Sequence, residues 1–310
     1  ELKHRGVHYW NLDKIPTKIK ELSVEHLVVS RYIHYFLNYP NPAKHTYLWV
    51  HDSVPNFYWN GKELPDKGKP LVKSLAPGWN QILCVSEWQA AINQEWIGLK
   101  SGISIVPNGI ESSYFREVDK IEKVKNRFIF CQDPDRGLDV LLHLFPAITQ
   151  NIPDATLFIF WDKLSEERQN KINQMNNIFF CGKVSQQKLA IELMKSDVWF
   201  YPNQSHETYC MAAVEAQAAK CLCVARAYSG LLETIGNRGI LINGEPSQEE
   251  FQKCAMKIVI QILNDETTKK RYQNSGHVWA MQQDWNYRGE LWMQFLNRME
   301  IADPKIHPEI

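Results

Sequence analysis

Two glutamates, Glu207 and Glu215, stand eight residues apart in a segment that is typical of a strand, a polar loop and a helix. The first turn of such a helix has free backbone N–H groups, which attract anions such as a diphosphate with the help of the helix dipole. Eight helical residues rise about 12 Å, so the two carboxylates would hold two ends of one elongated ligand, for example a nucleotide sugar. The plainer alternative is a first-turn acid that complements the dipole and a solvated helix residue.

Three further segments combine chemistry-bearing residues with turns. Residues 133–139 follow a predicted strand and open a helix, and the guanidinium of Arg136 there suits bidentate binding of a phosphate. Residues 229–234 form a turn of small residues that permits close backbone approach to a ligand. Residues 105–110 contain Pro107-Asn108-Gly109, where a hinge between domains is expected. Taken singly, the first two segments could equally be a Pro-Asp turn with an exposed arginine and a plain loop.

A frame of strands and helices must bring these segments together. Short β-branched or aromatic runs alternate with helical stretches, which predicts parallel α/β units. We expect strands at residues 6–10, 26–30, 47–51, 81–85, 103–106, 128–131, 155–161, 178–181, 198–201 and 221–225. We expect helices at residues 86–95, 137–149, 165–175, 186–195, 208–219, 248–263 and 287–299. Open parallel sheets bind ligands beyond the carboxyl ends of their strands, which is where these segments fall.

The composition excludes several classes of protein. The chain of 310 residues has 35 basic and 35 acidic side chains, so it lacks the net positive charge of a non-specific nucleic-acid binder. No apolar run approaches the roughly 20 residues that span a bilayer. The seven scattered cysteines predict free thiols in a reducing compartment, because an odd and irregular set is not a disulfide framework. We therefore expect a two-domain cytoplasmic protein, with peripheral membrane contact as an option.

In this order and at these spacings, the motifs resemble the retaining glycosyltransferases of family 4, which have the GT-B fold. The resemblance rests on residues 107–110, 134–139 and 229–234 and on Glu207-x7-Glu215, and it spans nearly the whole chain. It implies an α/β architecture of two Rossmann-like domains facing each other across a cleft. Residues 1–115 would form the acceptor domain, residues 116–285 the nucleotide-sugar donor domain, and residues 286–310 a C-terminal helix that crosses back to the first domain. The short first domain is either compact or lacks its first strand–helix unit.

The resemblance also implies roles for single residues. Glu207 would orient the donor sugar, and Arg136 would neutralise the β-phosphate as it leaves. His51, which on its own could be a structural histidine, would face the sugar from the first domain. Glu215 would accept hydrogen bonds from the ribose hydroxyls. The remaining positions would meet the diphosphate through their backbone (Thr208, Tyr209, Cys210 and Met211) or read the nucleobase (Lys183 and Val184).

Some positions depart from the family's pattern. Cys131 stands where many relatives have an arginine five residues before the lysine of their phosphate motif, and Arg136 replaces that lysine. Two positions that are usually glycine hold other residues, namely Cys210 and Lys220. The family's N-terminal glycine loop has no counterpart here. The phosphate charge would therefore meet fewer cations, with Lys183 or Arg226 as substitutes.

The implied reaction transfers a sugar from a nucleoside diphosphate sugar to a hydroxyl of a glycan, lipid or protein-linked acceptor, with retention at the anomeric carbon. We expect no Asp-x-Asp or similar acidic motif that binds Mg²⁺ on the diphosphate, and therefore no cofactor and a metal-independent front-face route in which Arg136 and helix amides stabilise the leaving group. A GT-B nucleotide-sugar epimerase would need a further acid–base pair. A catalytically silent nucleotide-sugar-binding or scaffold protein would fit the missing glycine loop. An NAD(P) oxidoreductase is disfavoured because no G-x-G-x-x-G follows a predicted strand.

One segment bears on partners other than the donor. Four lysines lie around Pro65, at Lys62, Lys67, Lys69 and Lys73. They form either a solvated loop or a contact with an anionic lipid surface or a charged acceptor. Trp59 could stack on a sugar acceptor, and no nucleic acid is expected as a partner.

Overall fold

The computed structural model describes residues 2–4, 7–10, 14, 17, 21, 24–39, 41, 43–53, 58–59, 62–63, 69–98 and 102–301. These residues divide into two compact units. The first contains the described residues up to Pro107 and those from Leu291 onward, and the second is Asn108–Glu290. The sequence predicts a boundary after residue 115, but residues 108–115 lie with the second unit. There the Ile110 N–H donates to the Gln283 carbonyl at 2.8 Å.

The first unit is built on a parallel sheet of four strands in the order β3-β4-β7-β8, with two antiparallel pairs, β1-β2 and β5-β6. Its strands are β1 (Leu2–His4), β2 (Val7–Tyr9), β3 (Val24–Ser30), β4 (Ala43–Trp49), β5 (Tyr58–Trp59), β6 (Lys62–Glu63), β7 (Gln81–Cys84) and β8 (Ile103–Ile105). Its helices are Tyr35–Asn38, Lys69–Leu75 and Glu87–Ile97. The helix Trp285–Ile301 begins in the second unit and ends in the first.

Alternation along the strands of the first unit separates two apolar layers. On one face, Leu48 and Ile82 join a cluster that includes Trp79. On the other face, Tyr47 and Leu83 pack against the end of the last helix, through Trp292, Phe295, Leu296 and Met299. The end of the helix Trp285–Ile301 therefore completes the core of the first unit.

The second unit is a parallel sheet of six strands in the order β11-β10-β9-β12-β13-β14. Its strands are β9 (Val124–Phe130), β10 (Thr156–Ile159), β11 (Ile178–Phe180), β12 (Ser196–Tyr201), β13 (Leu222–Arg226) and β14 (Ile240–Ile242). Its α-helices are Leu138–Asn151, Glu166–Asn173, Gln186–Lys195, Met211–Ala218, Leu231–Thr234, Glu249–Leu263 and Glu266–Met281. The last of these helices and β14 have no counterpart among the sequence-based expectations.

The central strands of this sheet are buried on both faces, as expected for a parallel sheet covered by helices. Phe128, Ile129, Trp199 and Phe200 are all fully buried. This run of apolar residues on adjacent strands fixes the position of the strand ends, where the candidate site residues begin.

Candidate functional site

The topology of the second unit marks one edge of the sheet as a ligand-binding edge. From β9 the chain moves outward to β10 and β11, and it then returns to the opposite side of β9 as β12. Ligands of open α/β sheets bind at such a switch point, beyond the carboxyl ends of the strands. Residues 133–137 follow β9 and are called here the Gly137 turn. Residues 202–210 follow β12 and are called the acid loop, because they contain Glu207.

Two glycines hold the acid loop close to its neighbours. Gly137 has φ +135°, and a Cβ there would lie 2.5 Å from the Pro202 carbonyl oxygen. A Cβ at Gly230 would lie 2.4 Å from the Thr208 carbonyl oxygen, and the Gly230 N–H donates to the Glu207 carbonyl at 2.7 Å. The small residues after β13 thus allow close approach to the acid loop itself. Two segments from the sequence analysis therefore set the conformation of the loop that carries Glu207.

Glu207 lies at the centre of a hydrogen-bonded cluster. Its Oε1 accepts from the Tyr201 hydroxyl at 2.7 Å and from Arg136 Nη1 at 3.1 Å. Its backbone N–H donates to Ser229 Oγ at 2.9 Å. Burial, together with the charge of Glu207, raises the pKa of Tyr201, so this hydroxyl stays protonated and remains a donor. The structure thus brings together Arg136 and Glu207, and Arg136 keeps 46% of its side-chain surface exposed.

The helix after the acid loop begins later than predicted. The expected start at Thr208 is wrong, because the helix is Met211–Ala218 and Cys210 precedes it in the left-handed conformation with φ 54°. The expected rise of about 12 Å from Glu207 to Glu215 therefore does not apply, since Glu207 lies outside the helix. Thr208, Tyr209 and Cys210 belong to the loop, whereas Met211 opens the helix. The first N–H groups of a helix have no partner four residues earlier within the helix, and here the Ala213 N–H donates to the Cys210 carbonyl at 3.0 Å.

Glu215 lines a cavity of about 560 Å³ together with Lys183 and Val184. Gln186 Nε2 donates to Glu215 Oε1 at 3.0 Å, and burial raises the pKa of this carboxyl. The solvated-residue alternative for Glu215 therefore does not hold. The other lining residues are Cys131, Phe160, Trp161, Asp162, Gln186, Leu189, Met211 and Ala212.

Several of these lining residues are not among the candidate site residues predicted from the sequence. Phe160, Trp161 and Asp162 follow β10, a neighbour of β9, so their place at the carboxyl end of a strand could have identified them. Gln186 is the first residue of its helix and carries no motif of its own. Amides in such places are too common for a sequence pattern to single them out.

His51 lies in the first unit, just after β4. Its ring centroid is 4.4 Å from that of Trp49, and burial lowers its pKa, which favours the neutral imidazole. The segment around it is held by amide side chains of the helix Glu87–Ile97. Gln89 Nε2 donates to the Asp52 carbonyl at 2.6 Å, and Asn93 Nδ2 donates to the Ser53 carbonyl at 3.0 Å.

The departures from the family's pattern have structural consequences. Cys210 and Lys220, which stand at two usual glycine positions, have φ 54° and φ 56° and so keep the left-handed backbone that glycine adopts most easily. Cys131 lines the Glu215 cavity, and burial raises the pKa of its thiol, so this position carries no charge. Lys183 also lines that cavity, whereas Arg226 pairs with Glu245. Of the two substitute cations, only Lys183 thus lines the Glu215 cavity.

Asp133 and Asp135 have the Asp-x-Asp spacing, which the sequence-based prediction of a metal-free reaction did not take into account. Asp133 Oδ1 accepts from the Asp135 N–H at 3.0 Å and so closes the Gly137 turn, and Asp135 forms an ion pair with Arg168. Across the described ranges, no group of three or more His, Cys, Asp or Glu side chains is placed to hold a metal ion.

Other expectations concern membranes and acceptors. No helix in the described part of the chain is both long and apolar enough to cross a membrane. Pro65 and Lys67 lie outside the described residues, and so do the side chains of Trp59, Lys62 and Lys69. The lysine-rich stretch and the stacking role of Trp59 therefore remain predictions.

Two curated proteins are similar to part of this chain. Phosphatidyl-myo-inositol mannosyltransferase of Mycobacterium tuberculosis (strain ATCC 25618 / H37Rv) is 24% identical over 191 residues, which are 58% of this chain and 50% of that protein. One subunit of the phosphatidylinositol N-acetylglucosaminyltransferase of Homo sapiens is 24% identical over 200 residues, which are 59% of this chain and 39% of that protein. The chain thus matches about half the length, or less, of these curated relatives.

Solved structures share the fold at low sequence identity. The pneumococcal O-GlcNAc transferase GtfA, solved with UDP and GlcNAc, superposes with a TM-score of 0.74 at 14% identity. The superposition covers 93% of this chain and 60% of the GtfA chain. Anabaena Alr3699/HepE, solved with UDP and glucose, gives a TM-score of 0.63 at 17% identity, with 82% and 72% covered.

Together with the two parallel sheets, these matches confirm the GT-B fold class with two Rossmann-like domains. The profile of the family described as Glycosyl transferases group 1 matches residues 115–279, which are more than half of the chain. This range contains the Gly137 turn, the acid loop and the Glu215 cavity. The chain therefore belongs to the glycosyl transferases group 1 family.

Proposed function

We propose that this chain is a retaining glycosyltransferase of family 4, which moves a sugar from a nucleoside diphosphate sugar to a hydroxyl acceptor. The observation that carries the proposal is the position of Arg136, Glu207 and Glu215 on three neighbouring segments at the carboxyl edge of one parallel sheet. The relatives support the reaction class, because their names describe mannosyl and N-acetylglucosaminyl transfer.

We assign each residue the role that the resemblance implies and that its surroundings support. The Glu215 carboxylate accepts hydrogen bonds from the ribose hydroxyls, while Lys183 and Val184 in the same cavity contact the nucleobase. The Gly137 turn and the backbone from Thr208 to Met211 meet the diphosphate, with an exposed Arg136 guanidinium beside them. Glu207, held by Tyr201, orients the sugar hydroxyls. For His51, in the first unit, a role in catalysis stays a prediction from the resemblance.

The reaction then follows a front-face course. The bond between the anomeric carbon and the β-phosphate oxygen breaks as the acceptor oxygen bonds to the same face of that carbon. The acceptor proton passes to the departing phosphate oxygen, so no protein base is required. Arg136 and the first N–H groups of the helix Met211–Ala218 stabilise the charge of the leaving group without a metal ion.

The nature of the acceptor is proposed more broadly. Glycan, lipid and protein-linked hydroxyls all fit the class, and the curated relatives are named for phosphatidylinositols. A peripheral contact with an anionic membrane would suit a lipid acceptor.

A protein that binds a nucleotide sugar without turnover is the second candidate. It is favoured by Cys131, an uncharged residue where the resemblance implies an arginine, and by the pairing of Arg136 with Glu207. A turnover assay with bound donor separates the two candidates, because only the transferase consumes the donor.

A thermal-shift panel of UDP-, GDP-, ADP- and dTDP-sugars in EDTA tests the proposal. A true donor at about one hundred times its Kd adds about 2.7 kcal/mol to the free energy of unfolding, which corresponds to a shift of several degrees. We expect a shift for one nucleotide class that Glu215→Ala abolishes. The absence of a shift with every donor would contradict the proposal.

A further inference from the structure

Arg168, on the helix Glu166–Asn173, joins two carboxylates on either side of Gly137. Its Nη1 donates to Asp135 Oδ1 at 2.7 Å, and its Nη2 donates to Asp139 Oδ2 at 2.7 Å. Its Nε also donates to Asp139 Oδ1 at 3.0 Å, which makes the second contact bidentate. The arginine side chain is only 18% exposed, although both acids are largely exposed. One guanidinium thus ties together both flanks of the segment that carries Arg136.

The charge of this segment is unfavourable for an anionic ligand. Residues 133–139 carry three carboxylates and one guanidinium, that of Arg136. Arg136 in turn shares its charge with Glu207. A diphosphate group bears two negative charges, and repulsion between like charges acts over the Debye length of about 8 Å at physiological salt. A further cation beside these carboxylates would lower that repulsion.

We propose that Arg168 is a positioning residue for the donor diphosphate, which it serves by cancelling the charge of Asp135 and Asp139 on both flanks of Arg136. This inference rests on the proposed function of the same site. Arg168 acts through the two carboxylates and does not itself bind the ligand. A lysine would supply the same charge but could not bind Asp135 and Asp139 in the same way, because only a guanidinium offers five donors in one plane.

Two variants separate the charge of Arg168 from a purely structural role. Arg168→Gln removes the cation, and the triple variant Arg168→Gln/Asp135→Asn/Asp139→Asn removes the cation together with the acids it neutralises. A matched control, Lys253→Gln, removes the cation of an exposed ion pair with Glu249 on another helix. For each folded variant, the Kd is measured for the nucleoside diphosphate that the wild type binds and for its uncharged nucleoside, at low and high salt.

We expect Arg168→Gln to weaken binding of the nucleoside diphosphate about tenfold at low salt, and by less at high salt. The triple variant should return to within about twofold of the wild type, because the repelling charges are gone. The uncharged nucleoside should bind equally to all variants, since it has no diphosphate to be repelled. Lys253→Gln should bind both ligands like the wild type.

Three results would overturn the inference. Equal Kd values for wild type and Arg168→Gln would show that the cation is not needed. A triple variant as weak as the single variant, or an equal loss for the nucleoside, would assign Arg168 a structural role only. If the wild type bound none of the nucleotides, the proposed function would fail first, and the inference with it.

Discussion

Gly230→Ala tests whether the packing of the acid loop controls both stability and donor binding. A Cβ at this position would lie 2.4 Å from the Thr208 carbonyl oxygen and 2.6 Å from the Glu207 carbonyl oxygen. Ordinary contacts of a Cβ begin at 3.4 Å, so the loop must move by about 1 Å. The φ of Gly230 is −61°, which any residue adopts, so the substitution carries no backbone strain of its own.

The size of the effect follows from the close approach. Inserting a carbon into a packed site typically costs about 1–3 kcal/mol, and we expect the free energy of unfolding to fall by that amount. A displacement of about 1 Å in a group that positions substrate can lower turnover about 100-fold. Denaturant titration followed by a donor-turnover assay measures both effects.

Gly289→Ala is the matched control. Gly289 lies within the helix Trp285–Ile301, and nothing lies within 4 Å of a Cβ built there. Alanine is the better helix former, so this variant should gain about 0.5–1 kcal/mol. If Gly230→Ala instead stabilised the protein as Gly289→Ala does, and left turnover intact, the reasoning about the acid loop would be refuted.

Three further predictions address the acid in the cavity, the strained backbone and the exposed arginine. Burial raises the pKa of Glu215 above its ordinary value of 4.5, so the carboxylate becomes protonated at a higher pH than usual as the pH falls. Donor affinity should therefore decrease as the pH is lowered from neutral to mildly acidic. Glu215→Gln should bind the donor more weakly, with a flat pH profile, and equal profiles for the two proteins would count against this role. Lys220→Gly should be more stable than Lys220→Ala by about 1 kcal/mol in denaturant titrations, because both lose the ion pair with Asp119 and only glycine accepts φ 56° without strain. Equal stabilities would rule out backbone strain at this position. Arg136→Ala should lower kcat about 100- to 1,000-fold. The free energy of unfolding should change by less than about 1 kcal/mol, because Arg136 is partly exposed in its ion pair with Glu207. An unchanged kcat would remove Arg136 from the leaving-group site.

The parallel sheet was predictable because each of its buried strands is marked by a continuous apolar run in the sequence. Apolar runs such as Phe128–Phe130 and Val198–Tyr201 mark strands buried on both faces, and the order of the motifs along the chain led to the GT-B class. The helix Gln186–Lys195 was predicted with its observed bounds. There Ser185 accepts a hydrogen bond from the Lys188 N–H, which is the cap that a serine before an amphipathic run indicates.

What the sequence did not reveal depends on contacts between distant residues. The helix Glu266–Met281 was missed because polar residues, Lys269 and Gln273, occupy its buried face. Both bind Asp197, so that face has no apolar stripe to recognise. The start of the helix Met211–Ala218 was misplaced for a related reason, since the Gly230 N–H, from a separate segment, donates to the Glu207 carbonyl in the loop before the helix.

A crystal structure of the chain with its preferred nucleoside diphosphate sugar, grown in EDTA, would show whether the donor binds at the proposed site. We predict the ribose hydroxyls at the Glu215 carboxylate, the base beside Lys183 and Val184, and the diphosphate between the Gly137 turn and the start of the helix Met211–Ala218. A nucleotide bound elsewhere, or bound here with its diphosphate turned away from Arg136, would overturn the proposed donor site.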